Sequence, residues 1–164
     1  MRIEKIISGG QTGADRGGLK AGIALGLVIG GWCPKGRRAE DGPIPEEYPL
    51  KETSSSDYPK RTELNIKESD ATLIFTWGTI GRGSRLTVKY CENMKKPYRV
   101  LDLLGFKEEK IAEYVADFLK EHDPRILNIA GGRESKALGI EAKVEKVILM
   151  AFAKGWDALQ SETH

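Results

Sequence analysis

The chain has 164 residues, of which 40% are hydrophobic and 30% are charged, a composition typical of one folded domain and not of a disordered chain. Its formal net charge is +2, from 26 basic and 24 acidic residues, whereas nucleic-acid-binding surfaces normally carry a clear basic excess. We therefore expect a single domain over residues 1–164 and no nucleic acid among its partners.

The first part of the chain predicts two strands, one helix and an irregular segment. Residues 3–8 form a short β-branched strand, residues 14–25 a helix that Gly26 closes, and residues 27–31 a second strand. Residues 39–58 contain three prolines and a run of three serines, which predicts an irregular excursion over the surface. One role for its central part, residues 43–56, is a lid over a binding site.

The rest of the chain alternates helices with strands. We predict helices over residues 60–67, 84–93, 108–121 and 140–154, and strands over residues 71–76, 98–103 and 125–130. The segment ATLIFT at 71–76 is apolar enough to be buried on both faces. This order predicts an α/β fold: a Rossmann-like three-layer sandwich with a mainly parallel sheet of about five strands and helices on both faces.

The sequence has no feature of an exported, membrane-spanning or metal-binding chain. The longest apolar run, residues 147–153, is too short to span a bilayer, and the N-terminal residues do not resemble a signal peptide. The two cysteines lie in different predicted elements, and no metal-ligand spacing appears. We expect a cytoplasmic protein with no membrane partner and no structural metal.

Four loops that follow predicted strands are rich in glycine and cations. They read SGGQTGADRG (8–17), CPKGRR (33–38), GRGSRLT (81–87) and GGRESK (131–136). Glycine lets a backbone approach a ligand closely, helix N-termini and arginines bind anions, and ligands of parallel sheets bind at the carboxyl ends of the strands. We predict a site there for a phosphate-bearing small molecule, formed by Gly9, Gly10, Gln11, Thr12, Gly13, Asp15, Lys35, Arg37, Gly81, Arg82, Gly83, Ser84 and Arg133.

Some of these residues have a second interpretation. A carboxylate in the first turn of a helix, such as Asp15, satisfies the helix dipole and repels phosphate, so it would bind a ligand hydroxyl or base edge or pair with an arginine. The loop at 33–38 is equally consistent with a solvated basic loop paired with Glu40 and Asp41. Cys33 is more simply structural than nucleophilic, because no base accompanies it.

The sequence favours a binding protein over an enzyme. Neither histidine lies in the four loops, which excludes a Ser-His-Asp arrangement there, and no zinc or calcium motif appears. An acid–base role stays open for the carboxylates Asp15, Glu40, Asp41, Glu63 and Glu134.

The motifs GGQTGADRG (9–17), GWCPKGR (31–37), AEDG (39–42), YPL (48–50), RTELN (61–65), SDATLI (69–74) and GRES (132–135) resemble the putative molybdenum carrier family over nearly the whole chain. The resemblance implies a Rossmann-like domain of the superfamily that also holds the lysine-decarboxylase-like phosphoribohydrolases. It also implies a homo-oligomer that carries the molybdenum cofactor, a pterin with a dithiolene and a terminal phosphate, with molybdoenzymes as partners. Trp32 or Trp77 would stack on the pterin, although each is equally consistent with a position in the core.

The chain departs from the related phosphoribohydrolases in one motif. They carry PGGxGTxxE, whereas the matching stretch here, IGRGSRLT (80–87), lacks the proline and the glutamate, which disfavours nucleotide hydrolysis. Three hypotheses stay open: a molybdenum cofactor carrier, a sensor or carrier of a nucleotide-derived ligand, and a nucleotide-processing hydrolase that uses Asp15 or Glu63.

Overall fold

Short, mostly apolar segments form the central strands of this chain, and longer segments with one apolar face form most of its helices. The structure is a computed structural model that describes residues 2–161. The strands are β1 (Lys5–Ile7), β2 (Val28–Gly30), β3 (Trp32–Cys33), β4 (Arg38–Ala39), β5 (Gly42–Pro43), β6 (Lys51–Glu52), β7 (Ala71–Thr76), β8 (Tyr98–Asp102) and β9 (Ile126–Gly131). The helices are α1 (Ala14–Ala24), α2 (Tyr58–Glu68), α3 (Arg82–Asn93), α4 (Glu108–His122) and α5 (Ile140–Ser161), with a 3-10 turn at Glu134–Lys136.

Over residues 2–161 the main sheet has five strands, all parallel, in the order β2-β1-β9-β7-β8. All six residues of β7 are buried, as predicted for ATLIFT, so both faces of the sheet are covered. Helices α1, α4 and α5 pack together, and α2 packs on α3. The predicted α/β Rossmann-like fold is confirmed.

The strand order is a circular permutation of a familiar one. If β9 preceded β1 in the chain, the strands would follow the order 3-2-1-4-5 of the doubly wound fold. The direction of winding then reverses between β9 and β7. Ligands of such sheets bind at this reversal, outside the carboxyl ends of the strands.

The prediction of a surface excursion over residues 39–58 is partly wrong, because this segment contributes buried residues to a second hydrophobic cluster. Ile44, Tyr48 and Leu50 are buried and pack with Leu19 of α1 and with Cys33. Short ribbons form on its two sides, β3 with β6 and β4 with β5. These apolar side chains therefore pack against α1 through Leu19.

Helices α2 and α5 extend furthest beyond their predicted bounds. Helix α2 begins at Tyr58 with Pro59 in its first turn, where the missing N–H of proline has no intrahelical role. Helix α5 continues to Ser161, since a glycine such as Gly155 weakens a helix without necessarily ending it. In residues 2–161 we find no helix with the length and apolarity required to cross a membrane.

Candidate functional site

A cleft of about 720 Å³ opens at the carboxyl ends of β7 and β9, where the strand order reverses. Its volume lies in the range of roughly 300–1,000 Å³ that is typical of small-molecule sites. The loops after β1, β7 and β9 line it together with α2. Its polar and aromatic lining residues are Gln11, Asp15, Tyr58, Arg61, Thr62, Asn65, Thr76, Trp77, Thr79, Arg82, Ser84, Thr87, Asn128, Arg133 and Lys136.

The structure brings together only part of the predicted site. The predicted residues that line the cleft are Gly9, Gln11, Asp15, Gly81, Arg82, Gly83, Ser84 and Arg133. The others lie outside the lining: Gly10, Thr12, Gly13, Lys35 and Arg37.

Arg37 holds the excursion together and does not reach the cleft. Its guanidinium donates to the main-chain carbonyls of Ile44, Pro45, Tyr48 and Leu50, at 2.8–3.2 Å. These bonds use four of the five N–H donors of the guanidinium. In the structure Arg37 thus braces the excursion, and it lies outside the cleft lining.

Lys35, the other cation predicted for the site from the loop at 33–38, is exposed. Its main-chain N–H donates to the Ser55 carbonyl at 2.9 Å. The loop at 33–38 therefore contributes no cation to the cleft lining.

Gly10 and Gly13 serve the packing of the first loop. Both have a positive φ, of 74° and 84°. A Cβ on Gly10 would lie 2.5 Å from Leu50, and one on Gly13 would lie 2.3 Å from the Gly132 carbonyl oxygen. Side chains are therefore excluded at both positions by the excursion and by the loop after β9.

The buried side of the cleft holds an ion pair between Asp15 and Arg61. Asp15 is 6% exposed, and its Oδ2 accepts hydrogen bonds from Arg61 Nη1 at 3.3 Å and from the Gln11 N–H at 3.2 Å. Burial raises the pKa of Asp15 more than Arg61 and the main-chain N–H of Gln11 lower it. The cleft therefore contains a carboxyl group that binds a proton more tightly than usual.

Arg61 and Tyr58 were missed by the sequence analysis as site residues. The Tyr58 ring lies against the guanidinium groups of Arg38, Arg61 and Arg133, whose carbons are 4.9, 5.2 and 5.7 Å from the ring centroid. The negative face of an aromatic ring attracts such cations and so concentrates positive charge beside the cleft. The motif RTELN contained the signal for Arg61, but the sequence did not place α2 at this edge of the sheet.

Helix α3 begins at the cleft with Gly81 as its N-cap. No side chain among residues 2–161 caps this end, and the first N–H groups of a helix have no intrahelical acceptor. Arg82, Gly83 and Ser84 of the first turn line the cleft. The helix start combines free N–H groups, a positive dipole end and an arginine, which together favour an anion.

Glu40 ties the loops around the cleft together. Its carboxylate accepts hydrogen bonds from the Ser135 hydroxyl at 2.6 Å and from the Thr12 hydroxyl, and it lies 3.9 Å from Arg133. Partial burial would raise the pKa of Glu40, but the hydrogen bonds from Ser135 and Thr12 outweigh it and leave that pKa below its ordinary value. Its main-chain N–H donates to the Gln11 Oε1 at 2.9 Å, so Glu40 also orients Gln11.

Glu134 and Asn65 bond to main-chain groups, and Glu63 lies outside the cleft lining. The Glu134 carboxylate accepts the N–H groups of Gly139 and Glu141 at the start of α5, at 2.6 and 3.1 Å. Asn65 lines the cleft, and its side-chain amide exchanges two hydrogen bonds with the Trp32 main chain, at 2.7 and 3.0 Å. Glu63 is half-buried and lies outside the cleft lining.

The described residues offer no obvious metal site. Within residues 2–161, no group of three histidine, cysteine, aspartate or glutamate side chains is placed to hold a metal ion. Cys33 is buried outside the cleft, and burial raises the pKa of its thiol. The groups that line the cleft include guanidinium and ammonium cations and two aromatic rings.

Comparison with known proteins agrees with this architecture. A model of the circularly permutated YpsA SLOG family matches residues 6–152. The crystal structure of a protein named "Putative molybdenum carrier protein", from Syntrophus aciditrophicus, is similar over 92% of this chain and 95% of that chain, with 43% sequence identity and a TM-score of 0.88. No curated protein matches the chain.

Proposed function

We propose that this chain, which belongs to the circularly permutated YpsA SLOG family and is related to a protein named as a molybdenum carrier, binds a phosphate-bearing heterocycle in the cleft between β7 and β9. One observation carries the proposal. The N-terminus of α3 and the side chains of Arg82 and Arg133 all line the same cleft.

These groups suit a phosphate for a physical reason. Free N–H groups at a helix start and guanidinium groups both donate to phosphate oxygens, and the helix dipole adds to the attraction. Gly81 and Gly83 have open space where a Cβ would lie, so a phosphate has room to approach the main chain. Arg82 and Arg133 are exposed, and the phosphate would lie on this outer side of the cleft.

The molybdenum cofactor is the first candidate ligand, because the similar structure carries the name of a molybdenum carrier. The residues present fit its organic part. The cleft has the volume for a pterin with a phosphate, and Tyr58 and Trp77 offer aromatic surfaces. The metal and dithiolene would come with the cofactor as cargo, held through its pterin and phosphate. Homo-oligomers and molybdoenzyme partners remain predictions.

A nucleotide or nucleotide-derived molecule is the second candidate. It is favoured by the position of the cleft at the strand-order reversal, where doubly wound folds bind nucleotides. A nucleotide shares the phosphate and the flat heterocycle with the cofactor. If the chain hydrolysed such a ligand, Asp15 would be the carboxyl group available in the cleft.

Native mass spectrometry of the purified chain tests the proposal. The probes are the molybdenum cofactor, its metal-free pterin form and a panel of nucleoside phosphates. Stoichiometric retention of the cofactor or of the metal-free pterin supports the carrier function, and retention of a nucleotide alone supports the second candidate. Conversion of a nucleotide to smaller products would show hydrolysis, and retention of none of the probes would contradict the proposal.

A further inference from the structure

The cleft has two sides that differ in charge and burial. On the exposed side, which we call the rim, lie Arg82, Arg133 and Lys136. On the buried side, which we call the floor, lie Gln11, Asp15 and Arg61. The rim carries only cations, whereas the carboxylate of Asp15 balances the guanidinium of Arg61 on the floor.

Two N–H donors on the floor have no partner. Gln11 Nε2 and Arg61 Nε are buried and make no hydrogen bond within the part of the chain that the structure describes. Gln11 is only 5% exposed, and its Oε1 accepts the N–H groups of Thr12 and Glu40 at 3.0 and 2.9 Å. These two bonds fix which end of the amide is oxygen, so the NH₂ end is the free one. An unpaired buried donor is unfavourable until an acceptor reaches it.

Asp15 lies between the two residues that carry these donors and bonds to other atoms of each. Its Oδ2 accepts from both the Gln11 main chain and the Arg61 guanidinium, which places the three residues side by side. A phosphate on the floor would face the Asp15 carboxylate at close range, and like charges repel. The floor therefore suits a neutral group that both accepts and donates hydrogen bonds.

We infer that the floor recognises a lactam, a ring carbonyl beside a ring N–H, at the end of the ligand opposite its phosphate; this inference rests on the proposed function. A carbonyl oxygen has two lone pairs and can accept from both Gln11 and Arg61, whereas a bare ring nitrogen can accept only one hydrogen bond. The adjacent ring N–H donates to Asp15. Tyr58 and Trp77 line the same cleft and favour a flat ring over an isolated sugar hydroxyl.

Pterins and guanine both carry this lactam, so matched probes can test the floor for either source. GMP is compared with 2-aminopurine ribonucleoside monophosphate, which lacks the carbonyl and the ring N–H. Phosphorylated 6-hydroxymethylpterin is compared with its 2,4-diamino counterpart. By isothermal titration calorimetry we expect at least about tenfold tighter binding of the lactam member in the pair that binds, because the analogue leaves buried donors unpaired.

Two floor variants and one rim variant separate the lactam from the phosphate. Asp15→Asn and Gln11→Glu should each reduce the preference, since the first removes the carboxylate and the second removes the free N–H donor while keeping an oxygen for Thr12 and Glu40. Arg82→Ala should weaken both members of a pair by a similar factor and leave the preference unchanged.

The outcomes separate this inference from the function on which it rests. A lactam preference that falls in the floor variants supports the inference. Equal binding of both members, still weakened by Arg82→Ala, overturns the inference and leaves the proposed function intact. A preference that neither floor variant reduces also overturns the inference. Failure of all four probes to bind overturns both.

Discussion

The Arg61 guanidinium lies directly against the main chain of Gly9, so close that a Cβ on Gly9 would be 1.9 Å from Arg61 Nη1. The same nitrogen donates to Asp15 Oδ2 at 3.3 Å. The first glycine of the GGQTGADRG loop therefore makes room for an arginine from α2. Without that space, Arg61 would lose its position beside Asp15.

Gly9→Ala should displace Arg61 and leave the fold intact. The obstacle is the far end of a flexible side chain, which can move aside, and Gly9 does not have a positive φ. We expect a loss of ligand affinity of about tenfold, the effect of one charge-assisted hydrogen bond, with little change in the thermal midpoint. Calorimetry and a melting curve measure the two effects.

Gly10→Val is the matched control for Gly9→Ala. Here a Cβ would lie 2.5 Å from Leu50 and 2.9 Å from Ile44 in a buried cluster, at a φ of 74°. We expect Gly10→Val to lower both stability and binding. A Gly9→Ala variant that unfolds as readily as Gly10→Val would contradict the role given to Arg61.

Arg37→Ala should destabilise the chain. Its guanidinium holds four carbonyls of the excursion, and losing such charge-assisted hydrogen bonds reduces the free energy of unfolding by about 1–3 kcal/mol. The neighbouring Arg38 is exposed and donates to one carbonyl, that of Ser56, so Arg38→Ala should change stability by less than about 1 kcal/mol. Urea denaturation of both variants checks the difference. Equal stabilities would show that Arg37 does not brace the excursion.

Gly83→Asp should change stability and binding in opposite directions. Gly83 lies in the first turn of α3 without a positive φ, and nothing lies within 4 Å of its Cβ position. Replacing glycine in a helix, and adding a negative charge near the helix N-terminus, stabilise by about 0.5–1 kcal/mol each. The same charge should repel a phosphate at the rim.

Gly83→Ala provides the control for that charge, because it adds the helix propensity without the carboxylate. It should raise the thermal midpoint and weaken phosphate-ligand binding less than Gly83→Asp does. Equal affinities of Gly83→Ala and Gly83→Asp would place the phosphate away from the start of α3.

Arg82→Ala tests the rim arginine, and Arg85→Ala is its control, three residues later in the same helix. Both side chains are exposed, but only Arg82 of the two lines the cleft. Loss of a guanidinium–phosphate contact should weaken binding about tenfold in Arg82→Ala, with stability nearly unchanged in both variants. Isothermal titration calorimetry measures the affinity of both variants for the ligand that the chain retains in native mass spectrometry. A larger loss in Arg85→Ala would contradict the assignment.

Asp15 should make stability depend on pH. Its pKa is raised mainly by burial, so the folded chain holds this proton more tightly than the unfolded chain, whose pKa is near 3.8. The contribution to the free energy of unfolding is therefore complete below pH 3.8 and is lost as pH rises through the folded-state pKa. In Asp15→Asn this loss should disappear, which urea denaturation at several pH values above about 4 can measure.

Asp41→Asn should change the pH dependence of stability in the opposite direction to Asp15→Asn. A hydrogen bond from Arg16 holds the pKa of Asp41 below its ordinary value, so its contribution is present above pH 3.8 and is lost as pH falls through the folded-state pKa. The variant should therefore lose less stability on acidification than the unmodified chain. If Asp15→Asn and Asp41→Asn altered the pH dependence of stability in the same direction, the raised pKa assigned to Asp15 would be wrong.

Much of the fold could be predicted because the signals are local. The buried strand ATLIFT, the helical spacing of α4 and the glycine-rich loops each follow from a few neighbouring residues. The position of the cleft could also be predicted, because ligands of open parallel sheets bind at the edge formed by the carboxyl ends of the strands.

The identity of the arginines in the cleft could not be predicted in the same way. Arg37 and Arg61 both stand in basic, glycine- or proline-flanked segments, and sequence alone favoured Arg37. The choice depends on the path of residues 39–58, whose carbonyls capture Arg37, and on the docking of α2, which brings Arg61 over Gly9. Both are long-range features that no local pattern encodes.

The most direct test of the central claim asks whether the phosphate holds the ligand. The metal-free pterin form of the molybdenum cofactor, or the nucleotide that the chain retains in its place, is presented to the chain before and after phosphatase treatment and followed by native mass spectrometry. We predict stoichiometric retention of the phosphorylated form and loss of retention once the phosphate is removed. Equal retention of both forms would show that the cleft does not bind its ligand through a phosphate.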